Sequence, residues 1–132
     1  MYPSQMKAVS FLMFQGDAKS ALVLWREAFP DLEVLELKEY GEGDQAGQIS
    51  SARIRLGGSE WRLFDSPPVH NFTFTPASSF FIDCDDEIQL LFLAEKLGEG
   101  GTIMMEVGNY GFSKLFTWLS DRFGVSWQLN LP

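Results

Sequence analysis

This sequence has few of the side chains on which metal sites, disulfides and nucleic-acid surfaces depend. Its 132 residues include one cysteine, Cys84, and one histidine, His70. An intrachain disulfide, a thiolate metal cluster and a zinc site built from several imidazoles are therefore excluded. Ten Lys and Arg against 18 Asp and Glu give a net charge of −8. We therefore expect neither nucleic acid nor an anionic membrane as a partner.

Long apolar runs are missing as well. No stretch approaches the roughly 18 apolar residues of a membrane helix, and no hydrophobic leader is seen at the N-terminus. A cytoplasmic location is the resulting expectation. Cys84 ends an apolar strand pattern and is expected to be a buried structural thiol rather than a nucleophile.

What the sequence has instead is an internal repeat. The same interval separates Ser10–Met13 from Ser79–Ile82 and Asp17 from Asp86. Each copy runs from an apolar strand pattern through an acidic residue into a helix pattern, and three strand patterns follow. Two adjacent glycines, Gly57-Gly58, are typical of a tight hairpin between two of those strands.

The repeat predicts an α+β fold in a single domain, 1–132. Two strand–helix–three-strand modules (βαβββ), at about 8–66 and 77–130, are joined by a connector at 67–76. His70 lies in that connector and is expected to be a loop histidine rather than a catalytic one.

The second helix pattern is apolar almost all round. The residues predicted to form its buried stripe are Ile88, Leu91, Phe92 and Leu97. Leu90, Leu93 and Ala94 add apolar surface elsewhere on the helix, which indicates a subunit contact.

These pieces together resemble the vicinal oxygen chelate superfamily, which includes glyoxalase I, the bleomycin-resistance proteins and dioxygenases. The nearer likeness is to its PhnB-like branch, often labelled 3-demethylubiquinone-9 3-methyltransferase-like. The likeness covers nearly the whole chain and rests on Phe11–Pro30, Gly57-Gly58, Phe64–Ser66, His70–Phe74, Ser79–Asp85 and Trp118–Gln128. It implies an eight-stranded, half-open barrel-like sheet with helices outside, completed in many members across a homodimer.

The resemblance also implies where a metal would bind. Metal-using members place one ligand on the first and one on the last strand of each half. The equivalent positions here are Ser10, Arg62 or Phe64, Ser79 and Gln128. This set has no imidazole and no carboxylate, so the expectation is no metal and no cofactor. Glu60 and Asp65 lie one register step from such a position.

The cup of such a fold is expected to bind a small molecule. Alternation along the strands assigns nine residues to its inner face, namely Ser10, Leu12, Phe14, Arg62, Phe64, Ser79, Phe81, Ser126 and Gln128. All of these except Ser126 are the candidate ligand-binding residues. Arg62 would either bind a ligand carboxylate or phosphonate, or pair with Glu60 or Asp65.

Three functions are compatible with this pattern. The first is a metal-free small-molecule-binding protein of the glyoxalase/bleomycin-resistance type. The second is a superfamily-type enzyme (isomerase, lyase or dioxygenase-like) acting on an oxygen-rich substrate through Arg62, Glu60, Asp65 or His70. The third is a structural dimer whose cup is filled by its own aromatic side chains. No catalytic residue follows from the pattern, so the choice between binding protein and enzyme stays open.

Overall fold

The computed structural model describes residues 5–132, and the predicted repeat is present over that range. The first copy consists of β1 (Ser10–Phe14), α1 (Ala18–Ala28), β2 (Glu33–Glu39), β3 (Ile49–Leu56) and β4 (Ser59–Asp65). The second consists of β5 (Ser79–Asp83), α2 (Glu87–Gly98), β6 (Thr102–Gly108), β7 (Leu115–Ser120) and β8 (Ser126–Leu131). The predicted α+β class and tandem βαβββ order are confirmed.

The strands of each copy form a separate four-stranded sheet, and both sheets have the same topology. Their orders are β1-β4-β3-β2 and β5-β8-β7-β6. The first strand of each copy runs parallel to the last, and the other neighbours are antiparallel. Within residues 5–132 the strands form no closed barrel.

By its internal contacts the chain divides into two compact units. The first contains the residues up to Ala18 together with Asp31–Pro68, and the second contains Lys19–Pro30 and Val69–Pro132. Nearly all of α1 therefore groups with the second unit, although it belongs to the first repeat by sequence.

A buried carboxylate, that of Asp65, organises the first unit. Its Oδ1 accepts hydrogen bonds from the backbone N–H groups of Gly16 (2.8 Å) and Ala18 (3.1 Å), and its Oδ2 accepts one from Ile49 (2.9 Å). The end of β4 is thereby joined to the start of α1 and to β3. A buried carboxylate is tolerated when its oxygens are satisfied in this way.

The predicted glycine hairpin is present between β3 and β4. Leu56 pairs with Ser59 across a turn in which Gly57 and Gly58 have φ values of +58° and +83°. Two successive positive φ angles are what a two-residue hairpin turn of this twist requires, and glycine adopts them without a Cβ clash.

The second unit packs both helices on its sheet. Helix α1 buries Trp25, whose ring meets that of Trp127 edge-on at 5.6 Å, and Phe29 also contacts Trp127 at 5.3 Å. Pro30 then follows, which cannot continue a helix. Lys96 of α2 forms an ion pair of 2.7 Å with Glu27 of α1, a hydrogen bond that lowers the pKa of Glu27 and raises that of Lys96.

Helix α2 contacts β6, β7 and β8 through a different stripe from the one predicted. Leu90, Leu93 and Leu97 are buried, so the prediction holds only for Leu97. Ile88, Leu91 and Phe92 are 80%, 44% and 50% exposed, and their predicted burial is wrong. A helix that is apolar on most faces offers more than one stripe at helical spacing, so its sequence alone does not determine which one packs. Neither helix within the described residues is long and apolar enough to cross a membrane.

Candidate functional site

The two faces of the second sheet are clearly separated. Trp127 and Leu129 of β8 are fully buried. They pair with Phe80 and Ile82 of β5 on the face that α1 covers through Trp25. The predicted alternation is correct for this sheet.

Three candidate ligand-binding residues, Ser79, Phe81 and Gln128, come together on its other face. Phe81 and Gln128 are direct cross-strand partners, and Trp118 of β7 pairs with Gln128 from the opposite side. Paired residues of neighbouring strands project from the same face. A half-buried amide therefore lies between two aromatic side chains.

Four rings form what we call the aromatic cluster, namely Phe81, Tyr110, Phe112 and Phe116. Phe116 is buried at its centre, with ring centroids at 4.9 Å from Phe112, 6.2 Å from Tyr110 and 6.3 Å from Phe81. The outer rings are 54% (Phe81), 45% (Tyr110) and 62% (Phe112) exposed. A contiguous exposed aromatic patch of this kind commonly marks an interaction site.

Two amide side chains of β8 lie on this face with unused hydrogen-bonding capacity. Within residues 5–132 the Gln128 amide makes no hydrogen bond to protein. Asn130 donates from Nδ2 to Asp83 Oδ1 at 2.9 Å, which leaves its buried Oδ1 without a partner in the described chain. Buried polar atoms are normally satisfied, so an orphaned acceptor calls for an explanation.

The hydroxyls on the same face are already engaged. Trp118 Nε1 donates to Ser126 Oγ at 2.9 Å, and the Oγ atoms of Ser126 and Ser79 are 2.6 Å apart. Ser79 Oγ also lies 3.4 Å from the Pro76 carbonyl oxygen, so the single hydroxyl hydrogen of Ser79 is donated either to Pro76 or to Ser126. This series of hydrogen bonds holds Trp118 in place and uses the hydroxyl hydrogen of Ser79.

The first sheet does not gather the predicted residues on one face. Ser10, Leu12 and Phe14 pair with Trp61, Leu63 and Asp65, whereas Arg62 and Phe64 pair with Phe11 and Met13. The placement of Ser10, Leu12 and Phe14 beside Arg62 and Phe64 is therefore wrong. Strand β1 is an uninterrupted apolar run, and without alternation a shift of one residue exchanges its faces.

The face with Arg62 is rich in charge, and we call it the arginine face (Phe11, Met13, Arg53, Glu60, Arg62 and Phe64). Arg53 and Arg62 are direct cross-strand partners. Both contact Glu60, Arg62 through Nε at 3.1 Å and Arg53 through Nη1 at 3.4 Å, and Lys7 Nζ approaches the same carboxylate at 2.6 Å. Of the two alternatives for Arg62, pairing with Glu60 is thus observed.

These cations act on the protonation of Glu60. The hydrogen bond from Lys7, followed by that from Arg62, lowers the pKa of the carboxyl from its ordinary 4.5 to about 2, against the opposing effect of burial. Glu60 is therefore ionised at neutral pH and is the anion that Lys7, Arg53 and Arg62 share.

The donor groups do not fit a tightly bound divalent ion. Across residues 5–132 no three His, Cys, Asp or Glu side chains lie close enough to share a metal. Of the positions implied by the superfamily, Ser10 and Arg62 are on opposite faces of their sheet, and Ser79 is engaged with Ser126. Neutral hydroxyl and amide oxygens bind such ions weakly.

Cys84 does not have the surroundings of a reactive thiol. Cys84 is 5% exposed, and burial raises the pKa of its thiol to about 11. His70 is exposed in the connector, where its ring lies 5.0 Å from that of Phe72.

The sequence analysis did not identify several residues of these surfaces. Tyr110, Phe112 and Phe116 lie in and after the β6–β7 loop, and Arg53 lies on β3. The segment Asn109-Tyr-Gly-Phe112 combines Asn and Gly with two aromatic residues, and this pattern of an aromatic loop could have been recognised in the sequence. Arg53 could have been found only from the pairing of β3 with β4.

Comparison with known proteins agrees with this fold. The sequence profile of the 3-demethylubiquinone-9 3-methyltransferase family matches residues 6–130. A PhnB protein from Bacillus cereus is 40% identical, with a TM-score of 0.90 over 96% of this chain and 100% of that one. A comparison with curated proteins gave no match.

More distant structures share the fold alone. The fosfomycin resistance protein FosX of Listeria monocytogenes is 11% identical, with a TM-score of 0.66 over 98% of this chain and 94% of that one. Lactoylglutathione lyase from Agrobacterium tumefaciens is 14% identical, with a TM-score of 0.56 over 97% and 96%. By its profile match and its 40% identity to the PhnB protein, the chain belongs to the 3-demethylubiquinone-9 3-methyltransferase family, the PhnB-like group that its motifs resemble.

Proposed function

We propose that this protein binds a small, partly aromatic molecule without a metal. The observation that carries the proposal concerns the side-chain amide of Gln128. It makes no hydrogen bond to protein within the described residues, and it lies between Phe81 and Trp118. Small-molecule sites typically combine apolar walls with a few oriented polar groups. The aromatic cluster supplies the walls, and Gln128 supplies both a donor and an acceptor.

Trp118 offers a direct test, because it is half-buried and borders Gln128. Purified protein treated with EDTA is titrated with 4-hydroxybenzamide, a neutral aromatic donor and acceptor, while fluorescence and thermal stability are followed. We expect saturable quenching and a raised melting temperature. Phe112→Ala and Gln128→Met should each raise the dissociation constant about tenfold, and Trp118→Phe should remove the quenching but not the thermal shift.

Phe72→Ala is the matched control, since Phe72 is an aromatic residue of the same unit that is 59% exposed and makes a ring contact with His70. The proposal fails if no saturable binding occurs, or if binding requires an added divalent metal. It also fails if Phe72→Ala weakens binding as much as Phe112→Ala does.

Methyl transfer, the activity in the family's name, gains no support from this geometry. The common fold that binds S-adenosylmethionine uses a parallel sheet and a glycine-rich strand-to-helix turn. Each sheet described here has a single parallel strand pair.

We also propose that the protein is a homodimer that uses α2. Ile88, Leu91 and Phe92 form an exposed apolar stripe at helical spacing. Exposure of such a stripe is unfavourable unless a partner covers it. Light scattering at micromolar concentration should give a dimer mass, and Ile88→Glu with Leu91→Glu should give a monomer. Val23→Glu, at a single exposed apolar residue of α1, should remain dimeric; a monomeric parent protein would refute the proposal.

A cytoplasmic location completes the proposal. Its support is the free thiol of Cys84, since reducing compartments preserve unpaired cysteines. Fractionation of cells that express a tagged chain should recover it with cytoplasmic markers, and recovery in a secreted or membrane fraction would contradict it.

A further inference from the structure

The geometry of the arginine face points to a second binding site: we infer that Arg53 and Arg62 bind the oxyanion of a flat apolar acid whose ring lies on Phe11 and Phe64. The acid's charged group is a carboxylate or a phosphonate. This site goes beyond the proposed role of the aromatic cluster and does not depend on it.

The first argument is the local charge. Although the protein carries a net charge of −8, three of its ten basic residues, Lys7, Arg53 and Arg62, converge on the single carboxylate of Glu60. Arg53 and Arg62 are direct cross-strand partners, an arrangement that is unfavourable for like charges. Glu60, which both arginines contact, and Glu36, the partner of Arg53 on β2, offset this repulsion, and a bound oxyanion would act in the same direction.

The second argument is the orientation of the guanidinium groups. The side chain of Glu60 is 8% exposed, whereas those of Arg53 and Arg62 are 37% and 46% exposed. Glu60 engages Nε of Arg62 and one Nη of Arg53. The remaining N–H groups of each planar fork are held in position by that contact, and such forks match the geometry of carboxylates and phosphonates.

The third argument is the aromatic surface beside the arginines. Phe11 is 68% exposed, and its ring stacks on that of Phe64 with centroids 5.2 Å apart and an interplanar angle of 27°. Phe11 is also the cross-strand partner of Arg62. A ring that stacks on Phe11 would therefore lie within reach of Arg62, because paired residues project side by side.

The test uses benzoate as the probe, with benzamide as its neutral counterpart, cyclohexanecarboxylate as its non-aromatic counterpart and phenylphosphonate as the alternative oxyanion. Titration calorimetry of the full chain should show saturable benzoate binding. The dissociation constant should be about tenfold higher for benzamide, and higher for cyclohexanecarboxylate as well. Phenylphosphonate binding tighter than benzoate would assign the site to phosphonates, and the reverse would assign it to carboxylates.

Variants locate the site. Arg62→Ala and Arg53→Ala should each weaken benzoate binding about tenfold, Arg62→Lys less, and Phe11→Ala severalfold. Arg26→Ala removes the same charge from an exposed position of α1 and should leave benzoate binding unchanged. Thermal melts show whether each variant is folded.

The inference is overturned if the folded parent protein gives no saturable benzoate binding, or if Arg26→Ala weakens it as much as Arg62→Ala. It is also overturned if benzoate binding is lost in Phe112→Ala but kept in Arg62→Ala, a result that would leave the aromatic cluster as the binding surface. Loss of 4-hydroxybenzamide binding alone would count against the aromatic cluster and not against this site.

Discussion

Trp25 of α1 and Trp127 of β8 donate their indole N–H groups to the same oxygen, Oδ2 of Asp121, each at 3.0 Å. The other oxygen accepts from the backbone N–H groups of Phe123 (2.9 Å) and Val125 (3.1 Å). Asp121 is 3% exposed, so four N–H donors satisfy a buried carboxylate. This single side chain therefore fixes α1 on the second sheet and shapes the β7–β8 turn.

Replacing Asp121 with Asn should destabilise the protein by about 2–3 kcal/mol. One oxygen becomes an amide group that cannot accept hydrogen bonds, so either the two indoles or the two backbone groups are left unsatisfied. Urea denaturation followed by tryptophan fluorescence measures the change in the free energy of unfolding. Asp31→Asn, at an exposed position, is the control and should change it by less than about 0.5 kcal/mol. Equal stability of the two variants would show that Asp121 is not the anchor.

Glu60 should make stability depend on pH in the acid range. Its folded pKa of about 2 lies below the ordinary 4.5. Its contribution is therefore fully present above about pH 4.5 and is lost as the pH falls towards 2. Glu60→Gln should flatten this part of the stability profile, measured by urea denaturation at a series of pH values. Glu42→Gln, in the exposed β2–β3 loop, should keep the parent slope. An unchanged slope in Glu60→Gln would contradict the assignment.

The repeat predicted the fold because each copy carries its own strand, helix and hairpin signals. The hairpin at Gly57-Gly58 and the buried faces around Trp61 and Trp127 follow from turn chemistry and alternation. These signals are local, so a single sequence contains them in full.

The sequence analysis assigned the residues of β1 to the wrong faces of the sheet, because the pairing of a strand is not a local property. The repeat aligns Ser10 with Ser79, but Ser10 pairs with Trp61 whereas Phe80 pairs with the equivalent Trp127. The two copies therefore differ by one residue in strand register, which the spacing of the helices does not reveal. One residue is enough to move Phe11 onto the arginine face in place of Ser10.

The candidate surfaces depend on long-range contacts that the sequence does not encode in any pattern. Arg53 reaches Arg62 only through the β3–β4 pairing, and Phe116 reaches Phe81 only when β5 and β7 both pair with β8. Sequence reasoning found Gln128 and Arg62 because each alternates with apolar residues along its strand.

Cys84 should be protected from alkylation in the folded protein. Burial raises its pKa from the ordinary 9.0 to about 11, so little thiolate is present at pH 8, and reagents have little access to the sulfur. Iodoacetamide labelling at pH 8, followed by mass spectrometry, should be at least about tenfold slower without urea than with denaturing urea. The unfolded chain is the control, and similar rates in both conditions would show an accessible thiol.

Gly101 should tolerate no side chain, because a Cβ built there would lie 2.0 Å from the carbonyl oxygen of Ser120. Backbone atoms of β7 must shift to relieve that contact, and overpacking of this kind costs about 1–3 kcal/mol. Gly101→Ala should therefore lower the free energy of unfolding by that amount in urea. Gly41→Ala is the matched control, since no atom lies within 4 Å of its Cβ position. If both variants unfold at the parent midpoint, β6 and β7 do not approach each other this closely.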